Sequence, residues 1–451
     1  MNAFPLSFAV TATGGTFRGD AALLDETVVN VTIDSRSAGK GILYVPVIGL
    51  VFDGHRFIPD AMAAGALCTL SDRPLGEDVP HILVEDTTAA LQRLSEAYLA
   101  ANRVPVVGVT GSAGKTSTKE MLSAVLSRRF RTFKTPGNLN NQTGVPQAVF
   151  KVDSGCEVAV LELGTNHPGE IRSLAKIVKP DICVFTNIGV AHIEFFGDRE
   201  GIFRGKTEML EHMQQGGTIV ANGDDDLLCT VPGAVLYGLG ENCAVRAADL
   251  EEDGLFGTRF TLHANGDRVP CYAPAPGVHT VMNALCAAAV GLTMDMTLAE
   301  CAAGIADYRP LPGRMDIRRA GSRTLIDDTY NANPGSMEAS IDVLKTAKGR
   351  TVAILGDMRE LGENGPAFHR EVGAYAADAG ISLLIAVGEL SEHMAAAANE
   401  RRPGMALWFP TQDLLAASLP QLLEAGDTVL VKASRGMALE HTAKAILELT
   451  E

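Results

Sequence analysis

The stretch Val104-Pro-Val-Val-Gly-Val-Thr-Gly-Ser-Ala-Gly-Lys-Thr116 runs from an apolar β-type segment into a glycine-rich loop, and an amphipathic helical pattern follows from Thr116 to Arg129. Strand, loop and helix in that order present backbone N–H groups and the positive end of a helix to the loop, the geometry that holds phosphate oxygens. Gly111 and Gly114 let the backbone approach a nucleotide closely, with Ser112, Ala113 and Ser117 completing the cradle. Lys115 would neutralise β/γ-phosphates and Thr116 would offer a hydroxyl to Mg²⁺. The bland alternative is a glycine turn joining strand to helix, but such a turn has no need of Lys-Thr at the helix start. The spacing is a variant: Gly108 stands one residue too far back for the common eight-residue phosphate loop.

Working outward, three α/β domains are expected in 451 residues, since compact domains run to roughly 100–200 residues. Residues 1–101 hold short β-like runs (Val28–Ile33, Gly41–Val47, His81–Val84) and a helical stretch from Thr87 to Ala101. Residues 102–312 begin with the phosphate loop and continue with buried-strand candidates at Val158–Leu163, Ile182–Thr186 and Thr218–Ala221, as a parallel sheet requires. The Pro/Gly cluster Arg309–Arg314 reads as a linker. Residues 313–451 then alternate strands (Thr324–Asp328, Thr351–Gly356, Ile381–Val387, Thr428–Lys432) with helices, a Rossmann-like pattern.

Composition narrows the function classes. Hydrophobic residues at 46% and charged residues at 20% describe a chain able to bury large cores. A net charge of −16 argues against a nucleic-acid partner, which calls for basic patches. The eight cysteines show no Cys-x-x-Cys pair or zinc spacing and read as reduced thiols. No apolar run approaches the ~20 residues of a membrane span, and Met1–Val10 lacks a basic n-region, so a cytoplasmic protein is expected.

Further polar groups sit at strand ends. Glu162 closes a strongly apolar strand, where a carboxylate needs a cation or donors. His192 follows another strand end and could converge on the same crevice, although a lone histidine there is more often a structural hydrogen-bonder. Lys206 lies in a helical run where a solvated surface lysine is the ordinary reading. The asparagine-rich Thr135–Pro146 segment, with Asn138, Asn141 and Thr143, reads either as a loop or as a set of phosphate and substrate contacts.

Taken together these residues resemble the Mur ligase family over essentially the whole chain. The short Gly-x-x-Gly-Lys-Thr loop, the run Gly137–Pro146, the segment Asp327-Asp-Thr-Tyr-Asn-Ala-Asn-Pro334 and Leu355-Gly-Asp-Met-Arg-Glu-Leu-Gly362 carry the resemblance. The last three look like the member that adds D-alanyl-D-alanine to a UDP-muramoyl tripeptide in the cytoplasm, an ATP-dependent step of cell-wall synthesis. The resemblance implies ATP and two Mg²⁺ sites, one at Thr116 and a second at Glu162 and His192, and a carbamylated Lys206. It places Asn283 near adenine, although that amide equally reads as a helix cap, and brings Arg314 and Asp328 to ATP when domains close, although Asp328 equally reads as a turn residue. It puts Tyr330, Asn331, Asn333, Lys432, Ser434 and Arg435 around the dipeptide, and Ser35, Arg36 and His55 on the UDP-sugar side. A monomer is expected. Ala113 and Ala433 depart from residues frequent in relatives without removing a side chain the chemistry needs. The competing readings are a different amino-acid-adding ligase of the family, a folylpolyglutamate synthetase, or a switch that binds ATP without ligating anything.

Overall fold

The computed structural model describes residues 1–49 and 52–449, arranged around three α/β sheets. The first is a five-stranded sheet in the order Thr16–Arg18, His81–Leu83, Cys68–Ser71, Ile42–Tyr44, Asn30–Thr32; the last four of these are parallel, and Thr16–Arg18 pairs antiparallel at the edge. The run expected as one strand over Val28–Ile33 is two: Thr27–Val28 pairs with Phe4–Pro5, and Asn30–Thr32 joins the main sheet. Exposed Val29 is the break, where the chain leaves one sheet for another.

The second sheet has nine strands. Val106–Thr110, Val158–Glu162 and Ile182–Phe185 are buried at every position because helices cover both faces. Alternation sorts their side chains. Val107, Val109, Val158 and Val160 pack under Lys115–Leu126 and Val278–Thr293, while Val106, Ala159 and Leu161 face Thr87–Ala101 and Glu170–Val178. From Val106–Thr110 the chain crosses over Val158–Glu162 to Thr132–Lys134, and the later strands build in the opposite direction. That reversal opens a crevice at the strand ends, and the phosphate loop lies in it. Five strands lie beyond the four expected: Thr132–Lys134 and Val235–Gly238 join in parallel, and Val245–Glu252, Thr258–Ala264 and Asp267–Ala273 extend the sheet as an antiparallel meander. The meander's alternating, half-exposed pattern differs from the continuous apolar runs of the sheet centre.

The third sheet has the order Asp316–Ala320, Arg323–Asp327, Thr428–Lys432, Thr351–Gly356, Leu383–Val387, Ala406–Phe409, parallel except for its first strand. Helices cover it on both sides with separate cores. The first and second sheets instead share one core: Tyr98, on the helix Thr87–Ala101, packs edge-on against Phe150 and donates to the Val152 carbonyl at 2.6 Å. Close packing of the helix Leu298–Ala306 against the far end of Lys115–Leu126 depends on Gly304, where a Cβ would stand 2.5 Å from the Val125 Cα. Among the described residues no helix is long and apolar enough to cross a membrane.

Candidate active site

The residues at the crevice surround a cavity of about 940 Å³ bounded by the ends of the second and third sheets and by Val47, Ile48 and Gly49 of the first domain. Its floor is the phosphate loop. Gly114, in the left-handed region at φ 78°, is the N-cap of the helix Lys115–Leu126. The loop is tied to the next strand end: Ser112 N–H donates to the Asn187 carbonyl, Ala113 N–H to the Asn187 side chain, and the Thr186 hydroxyl to the Ala113 carbonyl. A Cβ on Gly111 would stand 1.8 Å from Thr186 Oγ1, so no larger residue fits there. Lys115 curls back to donate to the Gly111 carbonyl at 2.7 Å. Burial lowers its ammonium below the ordinary lysine range, opposed by the charge of Glu162 and reinforced by Arg314.

Glu162, 1% exposed, is the centre of the floor. Both of its oxygens accept from the Thr116 hydroxyl, at 3.0 and 2.9 Å, and Oε1 accepts from Asn140 Nδ2 at 2.8 Å. Lys119 Nζ lies 3.8 Å from its Oε2 and donates to the carbonyls of Thr135 and Gly137 at 2.8 and 3.1 Å. Lys119 is wholly buried and also pairs with Glu120 at 3.2 Å. One lysine therefore joins the carboxylate to the start of the asparagine loop. Neither Lys119 nor Asn140 was singled out by sequence reasoning. Lys119 lies one helical turn beyond Lys115, and that i, i+4 spacing on the loop's own helix is the available signal.

Lys206 is 1% exposed, so the solvated-surface reading does not hold. Its helix, Arg199–Thr207, presses inward at Gly205, where a Cβ would meet the Phe196 ring at 2.4 Å. Burial, and then the nearby Lys115 charge, hold the Lys206 amine well below the usual lysine range. His192 lines the cavity as the N-cap of Ile193–Phe196, with a left-handed φ of 59°.

The asparagine loop divides its labour. Asn140 faces Glu162; Asn141 accepts from the N–H groups of Gly144 and Thr143, fixing the start of the helix Gly144–Val149 while still lining the cavity, as does Thr143. Asn138 is exposed and outside the cavity lining. Asn283 lines the cavity with its Oδ1 held by the Thr118 hydroxyl at 2.9 Å, beside Gly114. Ser117 also lines it.

The third domain supplies the roof. The Arg314 guanidinium stacks on Tyr330, 3.8 Å from the ring centroid. Asp328 accepts from Lys432 Nζ at 2.5 Å, from the Ser340 hydroxyl and from Met315 N–H, while Lys432 also donates to the Asn331 carbonyl. Arg314, Asp328, Tyr330, Asn331, Asn333 and Lys432 all border the cavity. Asn333 has a structural duty as well, capping the helix Pro334–Lys345 through a reciprocal pair with Ser336. Ser434 and Arg435 lie outside the lining: Ser434 Oγ accepts from Arg359 N–H, and Arg435 pairs with Glu440. Ser35, Arg36 and His55 also lie outside it. Arg36 pairs with Asp34 at the surface, and His55 is buried between Asp53 and Asp72, supporting the turn next to Val47–Gly49.

The residues fit a magnesium nucleotide. Thr116 and Glu162 offer the hard hydroxyl and carboxylate oxygens that Mg²⁺ prefers, beside a loop built for phosphates. Among the described residues no group of three or more His, Cys, Asp and Glu is gathered to hold a metal unaided. An ion here would therefore draw its remaining ligands from phosphate and water, as Mg²⁺ ordinarily does.

Three family models match the chain: "Mur ligase family, catalytic domain" at residues 27–106, "Mur ligase middle domain" at 109–291 and "Mur ligase, glutamate ligase domain" at 313–435. The UDP-N-acetylmuramoyl-tripeptide–D-alanyl-D-alanine ligase of Bacillus subtilis (strain 168) is 36% identical over 435 residues, covering 94% of each chain. The crystal structure of MurF from Acinetobacter baumannii superposes with a TM-score of 0.93 at 31% identity over 100% of both chains. MurF ligase from Thermotoga maritima in complex with ADP gives a TM-score of 0.85 at 30% identity, covering 93% of this chain and 97% of that one.

Proposed function

The chain belongs to the Mur ligase family, and we propose that it performs the family's dipeptide-adding step: ATP-dependent joining of D-alanyl-D-alanine to a UDP-muramoyl tripeptide, with release of ADP and phosphate. The observation that carries this reading is the Glu162 carboxylate clasped by the phosphate-loop hydroxyl of Thr116, beneath a roof of Arg314, Asp328 and Lys432 from another domain. A nucleotide switch needs the floor but not the roof.

A carboxylate is a poor electrophile, and phosphorylation by ATP turns its oxygen into a leaving group. The phosphate loop would hold the β- and γ-phosphates on backbone N–H groups, with Lys115 swinging off the Gly111 carbonyl to take up phosphate charge. Thr116 and Glu162 would hold one Mg²⁺, and Glu162 with His192 a second; when bound, these ions spread the charge of the transferring phosphoryl group. Arg314 and Asp328 would close on the nucleotide, and Asn283 would meet its base. The tripeptide carboxylate attacks the γ-phosphorus, giving an acyl phosphate and ADP. The dipeptide amine, delivered among Tyr330, Asn331 and Lys432, then attacks the acyl carbon, and phosphate leaves as the amide forms. The roof excludes the water that would otherwise hydrolyse the acyl phosphate.

The depressed basicity of Lys206 supports carbamylation, because a neutral amine is the form that adds CO₂. The product is an anion beside Lys115, able to support the metal site. The reading includes a monomer acting in the cytoplasm, where nucleotide-linked reactants would be available.

The test is phosphate release from the purified chain with ATP, Mg²⁺, UDP-muramoyl tripeptide and D-alanyl-D-alanine, with each amino component omitted or exchanged in turn. Release that requires the dipeptide supports the reading. Release with a single amino acid in its place would assign a different step of the family, and release indifferent to every acceptor would remove ligation altogether.

A further inference from the structure

The catalytic scheme leaves unused a carboxylate that the third domain places on the His192 ring. Glu360 Oε2 lies 2.5 Å from His192 Nδ1, across the seam between the second and third domains, a charge contact rather than an aligned hydrogen bond, so that buried Nδ1 still lacks a hydrogen-bond partner. Both residues adopt left-handed backbone conformations, φ 63° at Glu360 and 59° at His192, conformations that non-glycine residues seldom take without a reason. The loop carrying Glu360 is anchored at its root: Arg359 N–H donates to Ser434 Oγ at 2.9 Å, and Met358 N–H to His369 Nε2 at 2.9 Å. Beyond Glu360, Gly362 lies against Glu194, close enough that a Cβ would make ordinary contact at 3.6 Å. The loop is thus fixed in its own domain and seated on the short helix that His192 begins.

We propose that Glu360 is a positioning residue for the metal site, supplied by the third domain: after a small turn of the ring its carboxylate would accept from His192 Nδ1–H, fixing the tautomer that leaves Nε2 as the ligating nitrogen. Carboxylate partners of this kind orient ligating histidines and raise their basicity. Here the carboxylate arrives from a different domain, so the histidine is fully prepared only when the third domain is seated. Metal affinity and domain docking are then two readings of one equilibrium. The same arrangement gives Ser434 a role away from substrate, as the anchor of the Glu360 loop.

The inference rests on the metal site proposed above, and its test separates the two. Binding of Mn²⁺ to the full chain is titrated by electron paramagnetic resonance with a non-hydrolysable ATP analogue, for wild type, Glu360→Ala, Glu360→Gln, His192→Ala and the Glu360→Ala/His192→Ala double variant. Glu360→Ala should weaken Mn²⁺ about tenfold or more. Glu360→Gln, whose amide oxygen can accept from Nδ1–H but carries no charge, should fall between. The double variant should bind no more weakly than His192→Ala alone, because Glu360 acts through the ring. Glu360 is nearly half exposed, so melting temperatures should stay at the wild-type value. Wild-type Mn²⁺ affinity in Glu360→Ala, or losses that add in full in the double variant, would overturn the proposal. A wild-type chain that shows this Mn²⁺ pattern but no dipeptide-dependent phosphate release would instead fail the ligase reading and leave this one standing.

Discussion

Replacing Lys119 by Met tests how the floor of the site is held together. The side chain is wholly buried, and its ammonium serves two carbonyls and two carboxylates at once. Met fills much of the same volume, so the loss is chiefly electrostatic. Removing one partner from a buried ion pair costs about 3–5 kcal/mol. Glu162 keeps the Thr116 and Asn140 donors and Glu120 keeps Lys134, which puts the expected loss near the lower end, about 3 kcal/mol. For a domain of this size each kcal/mol moves the melting point by about 2–4 °C, so a fall of about 6–12 °C is expected. The transition to follow is the one that ADP shifts, because three domains need not melt together. Saturating Mg²⁺ and ADP should recover part of the fall by placing a cation beside Glu162 again. Lys119→Arg should not rescue, since the larger planar fork has no room in a site with no exposure. A drop of less than about 2 °C, or one indifferent to Mg²⁺, would refute the claim that Lys119 neutralises Glu162.

Three other substitutions follow from the same geometry. Gly111→Ala drives a methyl into Thr186 Oγ1 and should abolish ADP binding by calorimetry while the circular dichroism spectrum stays unchanged; retained affinity would contradict the described loop. Asn140→Ala removes a charge-assisted hydrogen bond to Glu162 worth about 1.5–3 kcal/mol, so kcat/KM should fall by about ten- to a hundredfold, read by phosphate release. Lys206→Met should abolish turnover yet stabilise the chain in CO₂-free buffer. The unfolded amine titrates near 10.5 and the folded one well below. Between those values the unfolded chain binds the extra proton, so wild-type stability rises with pH. The variant should lose that rise, and denaturant melts at stepped pH would show whether it does.

Strands buried on both faces were legible because their signal is local: short, largely apolar runs rich in valine and ending in a polar residue, as at Val158–Glu162 and Thr428–Lys432. The helix Thr87–Ala101 was legible with both ends, having Asp86 as its cap. The meander from Val245 to Ala273 was not, because an edge sheet with one wet face dilutes its apolar residues among charged ones. In the site, loop chemistry at Lys115 and Thr116 could be read from strand, loop and helix alone. The burial of Lys206 could not, since it depends on Phe196 accepting Gly205, a contact between two helices. Asn140 stood unremarked beside Asn138 and Asn141 because three similar amides in one loop differ only in where the folded backbone points them. Glu360 is further out of reach of sequence reading, as its partner comes from another domain.

The core shared by the first two sheets decides how this molecule comes apart. With Tyr98 buried against Phe150 and bonded to Val152, no cut near Ala101 leaves two clean surfaces; both fragments would carry an open apolar face. The third sheet holds its own cores and hangs from the Arg309–Gly313 linker. Mechanically the enzyme has two parts, an anvil and a hammer. The phosphate loop is set in the anvil, and the separately cored piece brings the roof residues Arg314, Asp328 and Lys432 together with Glu360. Exchange of acceptor specificity between relatives would accordingly be sought by transplanting the hammer whole, with its linker, while leaving the anvil uncut.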